Sequence, residues 1–184
     1  MTKFKDTFRI ESVRFLEWDY ASPWWYYVTI NTKDHVEYFG IIENEKMVLN
    51  ELGKIVEEEW LKTKELRANV QLDYFVVMPN HIHGIVIIRD IGRAVARNGF
   101  TEKANIYSKI SPAASSLSAI IRSFKSALTK RIHEIGYSSF SWQSRFYDRI
   151  IRNEKELFNI RKYIEQNPLK WNLEKNNQEN ICEL

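Results

Sequence analysis

The apolar positions of this chain recur with two periods, and the places where the period changes mark its elements. Trp24-Trp25-Tyr26-Tyr27-Val28-Thr29-Ile30 is aromatic and β-branched throughout. With the loop that starts at Asp19, it predicts a strand ending at Ile30. A second short strand is expected over Val36 to Ile42, broken by Gly40. Asn50 caps a helix whose apolar face is Ile55, Val56, Trp60 and Leu61. Ala68 to Val77 and His81 to Ile88 are two further apolar, β-branched runs around the turn signal Pro79-Asn80, and together they predict a hairpin. Asp90 to Ser116 has no period and contains Gly92, Gly99, Pro112 and Ser115-Ser116, so a long surface loop is expected there.

Beyond that loop, Leu117, Ile120, Ile121, Phe124, Leu128, Ile132 and Ile135 repeat at helical spacing up to Gly136. Phe146 to Ile151 suits a strand. Asn153 opens a last helix with Glu156 three residues on, and Pro168 is expected to stop it after Asn167. A polar tail covers about 172–184. Helices interspersed with strands, one pair of them a tight hairpin, predict an α+β fold with helices packed on an antiparallel sheet. A ferredoxin-like core is its simplest form.

Composition narrows the class. The 184 residues suit a single domain over 1–184, and 44% apolar with 28% charged residues excludes a disordered chain. No apolar run reaches the ~18 residues of a bilayer span, and the start Met1-Thr2-Lys3-Phe4-Lys5-Asp6 lacks the apolar core of a signal peptide. The lone Cys182 permits no internal disulfide and no cysteine cluster for zinc. A cytoplasmic protein with no membrane partner is therefore expected. The net charge of +3 points weakly to a polyanion.

Four residues stand out for chemistry. His81 and His83 lie two apart in a predicted strand, so both imidazoles project to one face and can hold a divalent metal; the alternative is a polar stripe on an exposed sheet face. Tyr163 and Asn167 lie four apart on the last helix and share a face, where a phenol could serve as nucleophile and an amide as ligand, or Tyr163 could simply pack. A basic stretch holds Arg122, Lys125, Lys130, Arg131, Arg145, Arg149 and Arg152, readable either as a solvated face or as phosphate contacts. Trp142, Phe146 and Tyr147 are interleaved with it and could stack on unpaired bases or fill a core.

Met78-Pro79-Asn80-His81-Ile82-His83-Gly84, Trp142-Gln143, Phe146-Tyr147-Asp148 and Tyr163-Ile164-x-x-Asn167-Pro168 occur in an order that resembles the REP-associated tyrosine transposases. These are relatives of the single-tyrosine HUH transposases of the IS200-like type. The similarity runs from about Arg14 to Trp171.

It implies a ferredoxin-like fold with His81 and His83 on a central strand and Mg²⁺ or Mn²⁺ as cofactor. It further implies Tyr163 as nucleophile in a 5′-phosphotyrosine link, and hairpin or single-stranded DNA as partner, contacted by Arg122, Lys125, Lys130, Trp142, Arg145, Arg149 and Arg152. Asn167 sits where the family places a helix-borne polar metal ligand; many relatives have glutamine there, and Gln166 faces about 100° away on the helix. Relatives often have histidine where Arg149 stands. The resemblance admits a monomer or a homodimer that exchanges the tyrosine helix. Two alternatives accompany it. One is a hairpin-binding relative without turnover. The other is a zinc hydrolase, which lacks an obvious partnering glutamate or cysteine.

Overall fold

The structure, a computed structural model, describes residues 3–4, 7–8, 18–90 and 115–176. Most of the expected 90–116 loop and the tail beyond 176 lie outside them. Lys3–Phe4 (β1) and Thr7–Phe8 (β2) form a two-residue ladder. The main sheet is built from Trp25–Asn31 (β3), Val70–Val77 (β6), His81–Ile88 (β7) and Tyr147–Ile150 (β8), in the order β6-β7-β3-β8 with every neighbour antiparallel. Helices Glu51–Glu65 (α1) and Leu117–Glu134 (α2) follow β3 and β7 in sequence, and Glu154–Asn176 (α3) follows β8. The expected ferredoxin-like α+β architecture is met, with α3 added to it.

Alternation in the strands separates two apolar layers. Tyr26, Val28, Ile30, Ile82, Val86 and Ile150 face α1 and α2 and build the larger core with Trp60, Ile120, Phe124 and Leu128. The opposite set, Tyr27 and Ile85, packs with Ile151 and Ile164 under α3, flanked by Trp25, Val76, Leu157 and Ile160. Burying such side chains contributes about 1.5–3 kcal/mol each, which anchors α3 to the sheet. Gly84 interrupts the first layer for a steric reason: a Cβ there would sit 2.5 Å from Cζ2 of the buried Trp60. The indole crosses β7 where a side chain would otherwise stand.

Helix signals read as expected. Asn50 Oδ1 accepts from Gly53 N at 2.9 Å, Ser116 caps α2, and Asn153 Oδ1 accepts from Glu156 N at 2.9 Å. Two expectations are corrected. The single strand over Val36 to Ile42 is instead a 3-10 turn at Lys33–His35 followed by a hairpin of Gly40–Glu43 (β4) and Lys46–Leu49 (β5). Gly40, at φ 139°, opens β4 rather than interrupting a strand, and the turn residues Asn44 and Glu45 both take positive φ, 48° and 62°. Pro168 does not end the last helix, which runs on to Asn176. Proline forfeits one helical hydrogen bond, but the next turn is held from outside by Trp171, whose ring lies 5.6 Å from that of His81. Among the described residues no helix is long and apolar enough to cross a membrane.

Candidate active site

His81 and His83 open β7, an interior strand, and both point to the α3 side of the sheet. Their Nε2 atoms face each other at 3.0 Å. Each Nδ1 is held from behind. His81 Nδ1 lies 2.7 Å from Asn80 Oδ1. Asn80 Nδ2 donates to His35 O at 3.0 Å, which fixes the amide so that Oδ1 is the acceptor and His81 Nδ1 carries the hydrogen. His83 Nδ1 lies 2.7 Å from Tyr27 Oη and 2.9 Å from Thr29 Oγ1. The register explains that contact, since Thr29 is paired with His83 and Tyr27 stands two residues along the same face of β3.

Burial pushes His81 down to about 4, helped by repulsion from His35. It pushes His83 well below the ordinary imidazole value, helped by His81. Both rings are therefore neutral at pH 7, the form that ligates metals.

α3 closes over this pair. The Tyr163 ring meets that of His83 edge-on with centroids 5.2 Å apart, and it also meets Tyr27 at 6.4 Å. Lys170 Nζ lies 5.8 Å from the Tyr163 centroid. Asn167 is four residues from both Tyr163 and Trp171, so it occupies the helix face between the two rings that touch His83 and His81. It is buried, with 3% of its surface exposed, whereas Gln166 is only half-buried. Arg161 fastens the helix to β6: Nε reaches Asp73 Oδ2 at 2.8 Å and a terminal nitrogen reaches it at 2.7 Å.

The donor set has a definite geometric character. The two Nε2 atoms, 3.0 Å apart, are within hydrogen-bond distance of each other and close enough for both to reach one cation with bonds of about 2.1 Å. Among the described residues no group of three or more His, Cys, Asp or Glu side chains gathers. A third protein ligand would therefore be an amide or phenol oxygen, and Asn167 and Tyr163 lie on the facing helix.

The basic residues singled out by sequence fall into two groups around the edge strand β8. Lys125, Lys130 and Trp142 line a hollow of about 520 Å³ between α2 and the segment before β8. Lys125 Nζ is already engaged there, donating to Gln143 O at 2.5 Å and Arg145 O at 3.2 Å. Trp142 packs its ring against Phe39, Phe124 and Phe140, so it belongs largely to the core. Lys130 and Arg122 are exposed, Lys130 beside Glu134 at 3.8 Å, while Arg131 turns to α1 and pairs with Glu58 at 2.6 Å and Glu59 at 3.0 Å. On the other side, Arg149 shares the His-bearing face and pairs with Glu156 at 2.6 Å; Glu156 also accepts from Arg152 N at 2.8 Å. Arg145, also exposed, lies between the groups.

No family model matches the chain. An uncharacterized protein of Haemophilus influenzae (strain ATCC 51907 / DSM 11121 / KW20 / Rd) is 32% identical over 160 residues, covering 87% of this chain and 88% of its own. The chain belongs to the family of that protein. Among solved structures, a REP-associated tyrosine transposase bound to a REP hairpin matches with a TM-score of 0.56 and 20% identity, over 89% of this chain and 74% of that one. A putative transposase from Deinococcus radiodurans R1 gives a TM-score of 0.32 at 17% identity, over 85% of this chain and 96% of its own.

The fold is that of a REP-associated tyrosine transposase, as the motifs implied. Within this fold, no local pattern announces Tyr27 and Thr29 behind His83, the Arg161–Asp73 fastening, or Trp171 over His81. Tyr27 and Thr29 do share parity on β3, but their partner becomes visible only once β3 and β7 are set in register.

Proposed function

We propose that this protein is a metal-dependent single-stranded DNA endonuclease and strand transferase that works at REP-like palindromic hairpins through a tyrosine nucleophile. The observation that carries the reading is the Tyr163 ring resting on His83 beside the converging Nε2 atoms of His81 and His83. The similarity to a transposase that binds a REP hairpin supplies the DNA class.

His81 and His83, with Asn167 completing the set, would hold Mg²⁺ or Mn²⁺. When bound, the cation offsets negative charge developing on the scissile phosphate. Tyr163 Oη attacks phosphorus in line and gives up its hydrogen to water. The P–O3′ bond breaks, the 3′ oxygen takes a proton, and a 5′-phosphotyrosine link remains. Attack by a DNA 3′-hydroxyl reverses these bonds and joins strands. Lys170 places its ammonium over the Tyr163 ring, a positive charge on the same helix face as the phenol. Arg149, Arg152, Arg145, Arg122, Lys125 and Lys130 would supply the backbone contacts around the β8 edge.

The test is a labelled single-stranded hairpin library incubated with Mg²⁺ or Mn²⁺ and run on a denaturing protein gel, with Tyr163→Phe and His83→Ala alongside. Label comigrating with the wild type and with neither variant is expected. Hairpin binding with no adduct under either metal overturns the enzyme reading in favour of a hairpin-binding protein without turnover.

A further inference from the structure

The ring nitrogens of the histidine pair do not all have the same freedom. His81 is fixed: Asn80 Oδ1 can only accept, because Asn80 Nδ2 is spent on His35 O, so His81 carries its hydrogen on Nδ1 and offers a lone pair at Nε2. With no cation between the rings, the 3.0 Å contact between the two Nε2 atoms needs one hydrogen. His81 cannot supply it, so His83 does, from Nε2. That leaves His83 Nδ1 as an acceptor, and the groups beside it are hydroxyls of Tyr27 at 2.7 Å and Thr29 at 2.9 Å, themselves linked at 3.2 Å. A hydroxyl can donate or accept, whereas the carboxylate or carbonyl more usual behind a metal-bound histidine can only accept.

We propose that Tyr27 and Thr29 are positioning residues that serve His83 in two states: with the site free of metal, Tyr27, itself accepting from Thr29 Oγ1, donates to Nδ1, and once a divalent cation takes Nε2 the hydroxyl pair accepts the Nδ1 hydrogen. This rests on the reading of His81 and His83 as metal ligands. The ring holds one proton before and after: Nε2 releases its proton to water, Nδ1 takes one up, and net charge is unchanged. Each hydroxyl turns about its C–O bond and keeps its own hydrogen. Loading therefore reverses the tautomer of His83 and leaves that of His81 as it was. Tyr27 is 5% exposed and stacked on His83 at 5.7 Å, so no bulk water replaces it as partner.

Two-bond ¹H–¹⁵N spectra of ¹⁵N-histidine-labelled full-length protein read the tautomers directly, without and with saturating Mg²⁺. The expected result is His83 with its hydrogen on Nε2 alone and on Nδ1 with Mg²⁺, and His81 on Nδ1 throughout. Manganese affinity, followed by the electron paramagnetic resonance of free Mn²⁺, supplies a second readout. Tyr27→Phe with Thr29→Val leaves the Nδ1 hydrogen of the loaded state without an acceptor, and should weaken binding about 10- to 100-fold. Tyr27→Phe alone, with Thr29 still able to serve, should lose less. His83 carrying its hydrogen on Nδ1 in both states, or a double variant that binds Mn²⁺ as tightly as the wild type, overturns the proposal while leaving the metal site intact. A wild type that binds neither ion overturns the metal reading and this inference with it.

Discussion

The phenol of Tyr163 stands edge-on to the imidazole of His83, with 5.2 Å between ring centroids and 71° between planes. The rings make that contact, so Tyr163→Phe is expected to keep α3 in place and lose at most about one hydrogen bond, ~1 kcal/mol. The covalent DNA adduct should vanish all the same. Thermal unfolding and the adduct gel on the same preparation check this; a variant that melts many degrees lower would mean the hydroxyl supports the fold.

Gly84 is predicted to tolerate no side chain. Its added Cβ would meet the fused ring of Trp60 at 2.5 Å, and that indole is fully buried. Gly84→Ala should cost about 1–3 kcal/mol by overpacking. Trp60→Phe removes the offending ring carbons and also the indole Nε1, which is buried without a hydrogen-bond partner. The double variant should therefore recover part of the loss. Additive losses in a chemical-denaturation cycle would show that the clash is elsewhere.

Arg161 and Asp73 tie α3 to the outer strand β6, and the guanidinium also lies over Tyr74 at 5.3 Å. A double-mutant cycle with Arg161→Ala and Asp73→Ala is expected to give a coupling of about 1 kcal/mol, modest because the arginine is partly exposed. Amide exchange over 154–170 should quicken in either single variant. Unchanged exchange would mean the apolar contacts of Leu157, Ile160 and Ile164 suffice alone.

Lys125 carries a pH signature. Burial lowers it to about 8 from its ordinary 10.5. Between those values the unfolded chain binds more protons than the folded one, so this group adds stability as pH rises through the window and adds nothing further below it. Lys125→Met should lose that rise. The measurement is the difference in unfolding midpoint between wild type and variant from pH 7 to 10.5; a constant difference would contradict the assignment.

Legibility in the sequence followed the range of the forces involved. α2 ends where its apolar repeat meets Gly136, and β7 begins at His81, because local period and turn chemistry decide both. The β4–β5 hairpin escaped notice because its turn is Asn44-Glu45, and a glutamate at positive φ carries none of the glycine signature such turns usually show. Pro168 misled for the opposite reason: its local penalty is real, but the turn beyond it also makes a contact across the fold, Trp171 on His81, that the local pattern does not show. The motif histidines and Tyr163 could be named from spacing and resemblance. Their surroundings could not, since Tyr27, Thr29 and Asp73 meet their partners only through sheet register and helix docking.

The sheet order has a kinetic consequence. β3 sits between β7 and β8, so its second edge stays open until residues 147–150 arrive from the far end of the chain. Until then Trp25-Tyr26-Tyr27-Val28-Thr29-Ile30-Asn31, uncharged and rich in aromatic and β-branched residues, offers unpaired backbone to any other extended chain. A ribosome-bound or refolding molecule is thus exposed to self-association for as long as the late strand is missing. The yield of refolding is therefore expected to fall as protein concentration rises.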